Sequence, residues 1–220
     1  MHIEPGTIAQ AKIVVANIAA SGVLLHYVRA YIKQPADIIR TVLAALFFTL
    51  FMQSFSTPVG PSELHFVGAM IIYLSLGFIP AMFGFAAGLL LQGLIFDPMD
   101  IAHLAVNSLS LILPLIAVHF TIGRKLRSQD LSVNWKTIVK MDAIYYAGVT
   151  LMVGFWLSVS QVATPFAAWA TFTASYLVVV AIEPIVTLAA IKLLKHFPDS
   201  KVLDVCFAVK PLKLAKVAGN

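Results

Sequence analysis

The chain has 220 residues, of which 60% are hydrophobic and only 11% charged, with a net charge of +5. Soluble domains carry about a quarter charged residues, so this balance excludes an ordinary soluble fold and predicts an all-α, polytopic membrane protein. A single cysteine, Cys206, excludes an internal disulfide framework and a multi-thiolate zinc or iron–sulfur site.

The chain opens Met1-His2-Ile3-Glu4-Pro5-Gly6. A free terminal amine, the His2 amide nitrogen and the His2 imidazole form two fused chelate rings around one ion. Such a tridentate nitrogen set leaves one in-plane position open and suits nickel and copper, with cobalt as a further candidate. A frayed terminus without function is the competing reading. The apolar stretch Ile13 to Leu25 resembles a signal peptide, but no basic region precedes it and Glu4 sits where lysines are expected. An uncleaved terminus is therefore expected.

Apolar segments near the ~20 residues needed to span run over Ala11 to Ile32, Asp37 to Phe55, Ile101 to Ile122, Met141 to Gln161 and Pro165 to Leu194. The stretch Phe66 to Phe96 is too long for one ordinary span and is interrupted by Gly77 and Pro80. Charge placement decides how to read it. Arg29, Lys33 and Arg40 flank the first connection; Arg124, Lys125, Arg127, Lys136 and Lys140 fill a second; Lys192, Lys195, Lys201, Lys210, Lys213 and Lys216 fill the C-terminal region. These are 14 of the 15 basic residues, and the positive-inside tendency puts all three regions in the cytoplasm. An even number of passes must then separate the first two. That favours splitting the stretch into two helices of about 14 residues each. The expected architecture is seven transmembrane helices with the N-terminus outside and the C-terminus cytoplasmic: one membrane domain over 1–196 carrying a metal-binding segment 1–6, then a basic cytoplasmic tail over 197–220.

In this topology the outer face holds the N-terminal hexapeptide, the loop Ser56 to His65, the loop Asp97 to His103 and a turn near Gln161 to Pro165. It gathers His2, His65, His103, Glu4, Glu63, Asp97 and Asp100, with only Lys12 near it among the basic residues. A face of that composition attracts divalent cations. Gly84 and Gly88 have the spacing that lets helix backbones approach closely, and Ala16 and Ala20 make a similar face on the first helix, for packing within the chain or for docking a partner helix.

The start His2-Ile3 with Gly6, the sequence Glu63-Leu64-His65 before the third span, and the run Leu89-Leu90-Leu91-Gln92-Gly93-Leu94-Ile95-Phe96 followed by Asn107 resemble the CbiM/NikM family. These are the substrate-capturing membrane components of cobalt and nickel energy-coupling-factor transporters. The resemblance implies seven spans, an outward N-terminus, and a metal held by the terminal amine, the amide and imidazole of the second residue, and a histidine before the third span. Carried over, these are Met1, His2 and His65. It further implies a transmembrane coupling subunit, two cytoplasmic ATPase subunits and a small accessory membrane subunit as partners, with location in a bacterial or archaeal cytoplasmic (inner) membrane. The chain departs from the family in Asp100-Ile101-Ala102-His103 and Ala105-Val106-Asn107, where a Gly-rich turn and Gly-Ala-Asn are usual, and in carrying Glu4 before Pro5. His103 is an accessory candidate as an axial or entry ligand, favouring cobalt. Asn107 is an accessory candidate for orienting the His65 imidazole.

His26 and His119 are expected near the cytoplasmic ends of spans one and five, where they would hydrogen-bond at the interface or, as a pair, ligate haem. His196 is expected in a solvated tail, and Asp142 to pair with Lys140 or a partner. Glu183-Pro184 lies inside the seventh span, and an intramembrane carboxylate is a candidate proton site or a structural group beside a kink. No Gly-Lys dipeptide is present, so no phosphate-binding loop of the usual type exists and any ATP hydrolysis belongs to separate subunits. The expectation is a non-enzymatic component that captures Co2+ or Ni2+, with no organic cofactor, no nucleic acid, and membrane lipid around it. A self-sufficient proton-coupled transporter using Glu183 is the alternative, and an intramembrane haem enzyme a more distant one.

Overall fold

The computed structural model describes residues 8–59, 62–197 and 199–215. Helix α1 (Gln10–Ile32) is followed, after a three-residue turn, by α2 (Ala36–Ser54). Strands β1 (Ser56–Val59) and β2 (Ser62–His65) form an antiparallel hairpin with Ser56 opposite His65 and Val59 opposite Ser62. Next come α3 (Ala69–Leu76), α4 (Phe78–Ile95), a 3-10 turn (Pro98–His103) and α5 (Leu104–Val118). A π turn over His119–Gly123 carries α5 into α6 (Arg124–Arg127), before α7 (Trp135–Ser158), α8 (Phe166–Lys195) and α9 (Lys201–Cys206). Among the described residues six helical stretches are long and apolar enough to cross a membrane: α1, α2, α4, the continuous run Pro98–Arg127, α7 and α8.

The break expected between Gly77 and Pro80 is present, about a third of the way along the apolar stretch. Gly77 adopts φ 106°, a conformation that costs a side-chain-bearing residue dearly, and separates α3 from α4. Pro80 sits in the first turn of α4, where its missing N–H has no intrahelical carbonyl to reach. Instead of two helices of about 14 residues, α3 has 8 and α4 has 18.

Helix pairing shows how the chain runs between α2 and α4. Gly84 of α4 lies on Ala44 of α2, and Gly88 lies on Phe48, where an added Cβ would come within 2.6 Å of the ring. Thr49 Oγ1 donates to Ala45 O at 2.9 Å and to Gly88 O at 3.1 Å. Residue numbers rise together along both helices, so α2 and α4 run parallel and the chain between them must return. Eight helical residues cover only ~12 Å, too little for that return. The extended segment 62–68 adds ~23 Å at ~3.3 Å per residue. The chain thus returns between α2 and α4 as a strand, a linker and a short helix. Backbone of that kind is tolerated at membrane depth only inside protein, and here Leu64, His65, Val67 and every residue of α3 are buried.

An eight-residue helix is marginal alone, since nucleation costs more than so few bonds return. Both ends of α3 are held from outside. At its start Gly68 has φ 63° and packs against Phe51, and Glu183 Oε1 of α8 accepts from Met70 N at 2.8 Å. Tyr146 of α7 donates its hydroxyl to Glu183 Oε2. At the other end Arg127 Nη2 donates to Tyr73 O at 2.9 Å and Leu74 O at 3.1 Å. A carboxyl group at the N-terminus and a guanidinium at the C-terminus both match the helix dipole.

Residues 201–215 pack back on the bundle. Ala208 N donates to Ser75 O at 2.7 Å, and Arg40 reaches Val205 O, Asp204 O and Phe207 O at 3.0, 2.8 and 3.2 Å. Val209 and Leu212 are buried, and Leu214 pairs with Val133 in a parallel bridge. Most of the segment expected as a solvated tail is therefore ordered structure, because its apolar residues have a core to join. The faces of small residues are used within the chain as well. Ala16 and Ala20 are buried against Ala105, Val106, Leu109 and Trp156.

Candidate metal centre

Met1 and His2, with Glu4 and the rest of the opening hexapeptide, lie outside the described residues. His65 is the last residue of β2 and only 3% exposed. Its Nδ1 lies 3.2 Å from Met52 O, at the end of α2, and its Nε2 lies 2.9 Å from Glu63 Oε2. Met52 O can only accept, so Nδ1 carries the proton of that bond. In the neutral ring Nε2 then holds the lone pair, which is the arrangement a ligating imidazole needs. Glu63 is partly exposed and sits two residues earlier on the same face of the strand, as the period of a strand requires. It bonds Nε2 through an N–H when the ring is protonated. A metal ion bound at Nε2 would take the place of that proton.

His103 closes the 3-10 turn and is 1% exposed; Asn107, one turn along α5, is also 1% exposed. The turn is fixed by Asp97, whose carboxylate accepts from Met99 N at 3.2 Å. His103 and Asn107 thus share one helix face, and His65 stands on a separate element held by α2. None of Ser62, Glu63, His65, Asp100, His103 and Asn107 is free of partners. Among the described residues no group of three or more His, Cys, Asp or Glu is placed to hold a metal ion. A site at His65 must draw donors from other groups.

His119, His26 and Asp142 lie on other elements. His119 Nδ1 lies 2.9 Å from the Tyr73 hydroxyl, with its ring stacked on Phe78 at 3.9 Å, while His26 is exposed on α1 and meets Tyr27 edge-on. Asp142 does not pair with Lys140. Its carboxyl is fully buried and both oxygens lack a hydrogen-bond partner, whereas Lys140 is exposed. The reason is helical geometry: residues two apart on α7 point to different faces.

Sequence reasoning placed His65 in a loop and missed the Met52 carbonyl that orients it. The alternation Glu63-Leu64-His65 and the Gly60-Pro61 dipeptide are hairpin signals that were available. No pattern announces a main-chain acceptor from another helix.

Residues 2–200 match the family model described as the cobalt uptake substrate-specific transmembrane region, CbiM. The chain belongs to the CbiM family. It is accordingly a multi-pass membrane component of metal uptake, and not an enzyme. The CbiM fold agrees with two crystal structures. One, described as a transition metal transporter, is 20% identical over 92% of this chain and 96% of that one, with a TM-score of 0.72. The other, described as a truncated transition metal transporter, is 22% identical over 89% and 99%, with a TM-score of 0.69. No curated protein matches the chain.

Proposed function

We propose that this CbiM-family chain captures Co2+ or Ni2+ outside the cytoplasmic membrane and delivers it inward when ATP-driven partners act on it. Four nitrogens hold the ion: the Met1 amine, the His2 amide and imidazole, and His65 Nε2. His103 serves as an accessory axial or entry ligand, and Asn107 helps orient the site. The hairpin end faces out and the basic end faces the cytoplasm, with the N-terminus outside. A transmembrane coupling subunit, two ATPase subunits and a small accessory membrane subunit complete the transporter.

The observation that supports this reading is the buried His65 imidazole, with Nδ1 against Met52 O and Nε2 beside the Glu63 carboxylate. The alternative, a self-sufficient proton-coupled transporter using Glu183, is disfavoured because both Glu183 oxygens are engaged, Oε1 by Met70 N of α3 and Oε2 by the Tyr146 hydroxyl of α7.

The test is titration of purified protein bearing its native N-terminus with Ni2+ and Co2+. His2→Ala, His65→Ala and one added N-terminal residue are each expected to lower affinity by at least tenfold. Unchanged affinity in all three would sink the site.

A further inference from the structure

Helices α7 and α8 run antiparallel, so the start of α7 and the end of α8 meet at the basic end. Between them lies a cleft of about 470 Å³, lined at its mouth by Trp135, Lys192, Lys195 and His196 and at its floor by Leu188. Among the described residues no acidic side chain lines it. Lys195 Nζ donates to Lys210 O at 3.3 Å and to Leu212 O, which fixes the ammonium at the cleft wall and leaves one N–H to offer. Lys192 is exposed one turn away on the same face.

The same face of α8 continues away from the cleft as an apolar track. Ile182 and Ile185 are exposed, and Leu188 follows at helical spacing before Lys192 and Lys195. From Ile182 to Lys192 the helix rises ~15 Å at 1.5 Å per residue. One leaflet of a ~30 Å hydrocarbon core has that depth. Trp135, also exposed, supplies an amphipathic ring at the level of the lysines, the depth at which tryptophan settles in bilayers.

We propose that this cleft binds one anionic phospholipid, its phosphate held by Lys192 and Lys195 and its acyl chain laid along Leu188, Ile185 and Ile182. Lys195, held at the wall, and the exposed Lys192 present two positive groups, while the nearby Asp204 is taken up by Lys210; together they select a negative headgroup, and the track selects a lipid over a soluble phosphate ester. The inference requires only that α7 and α8 end at the membrane boundary. It is independent of the metal site.

The experiment is native mass spectrometry of the full chain from mixed micelles holding equal phosphatidylglycerol and phosphatidylcholine. The expected result is one retained phosphatidylglycerol in preference to phosphatidylcholine. Lys192→Gln should weaken its retention about fivefold, and the Lys192→Gln/Lys195→Gln pair about 25-fold, at roughly one charge contact per lysine. Lys195→Arg, which keeps charge and donors, should restore binding to the Lys195→Gln protein. Lys125→Gln, on α6 at the same end, should change nothing. Equal retention of the two lipids, an unaffected double variant, or a Lys125→Gln loss as large as that of Lys192→Gln would overturn the proposal. Displacement of the lipid by free glycerol phosphate would overturn it too.

Discussion

Replacing Glu183 tests whether α3 is held from outside. The carboxyl accepts from Met70 N at 2.8 Å and from the Tyr146 hydroxyl, and it is fully buried. Glu183→Ala leaves both donors unpaired inside the bundle. Each buried unpaired donor costs about 1–3 kcal/mol, so the local loss is about 2–6 kcal/mol before any cavity cost. Glu183→Gln keeps a carbonyl oxygen for Met70 N and lets the Tyr146 hydroxyl turn to accept from the amide, so its loss should stay below about 1.5 kcal/mol. Hydrogen exchange at the amides of residues 69–76, in protein reconstituted in nanodiscs, reads this directly. Even ~2 kcal/mol should speed exchange about 30-fold in the Ala variant, with the Gln variant less than about tenfold faster than the parent. Unchanged exchange in Glu183→Ala would refute the capping argument. Equal damage from Gln and Ala would show that charge, and not hydrogen bonding, is what α3 requires.

Gly88→Leu should separate α2 from α4, because the first added carbon already meets the Phe48 ring. A cost of about 1–3 kcal/mol, the usual range for overpacking, should appear as a lower unfolding midpoint, while Gly22→Leu, with open space around it, should leave the midpoint near the parent value. Metal affinity should fall as pH is lowered from 8 to 6. The amine and the imidazole, unperturbed near 8 and 6.5, must both lose protons to bind. Titrations at three pH values check this, and a flat profile would argue against an amine ligand.

The charge pattern bears on the number of passes without regard to their form. It required an even number between two basic regions, and the parallel pairing of α2 with α4 needs a return pass at that point. The form of that pass was not legible. From Leu64 to Leu76 the only polar side chains are those of His65, Tyr73 and Ser75, and buried strand and buried helix look alike when both faces are apolar. Gly77 marked one boundary through its own backbone freedom. Gly68 marks the other, but a glycine among apolar residues reads equally as helix packing. At the site, His65 was legible by residue type and resemblance. The carbonyl that orients it comes from 13 residues earlier on another element, through a backbone group that every residue possesses. Asp142 was misassigned for a related reason: proximity in sequence to Lys140 says nothing about which side of α7 each one faces.

The stretch from Ser62 to Leu76 also behaves as a tie-bar. One end carries His65, pinned to α2 through Met52 O, and the other is pinned through Ser75 O to Ala208 and through Tyr73 O and Leu74 O to Arg127. A bar fixed at both ends passes displacement along its length. Moving the 204–208 segment by one helical rise, ~1.5 Å, without letting α3 slip would lengthen the 3.2 Å imidazole bond beyond hydrogen-bonding range. The same 15 residues thus join the imidazole to the 204–208 segment through hydrogen bonds at both ends.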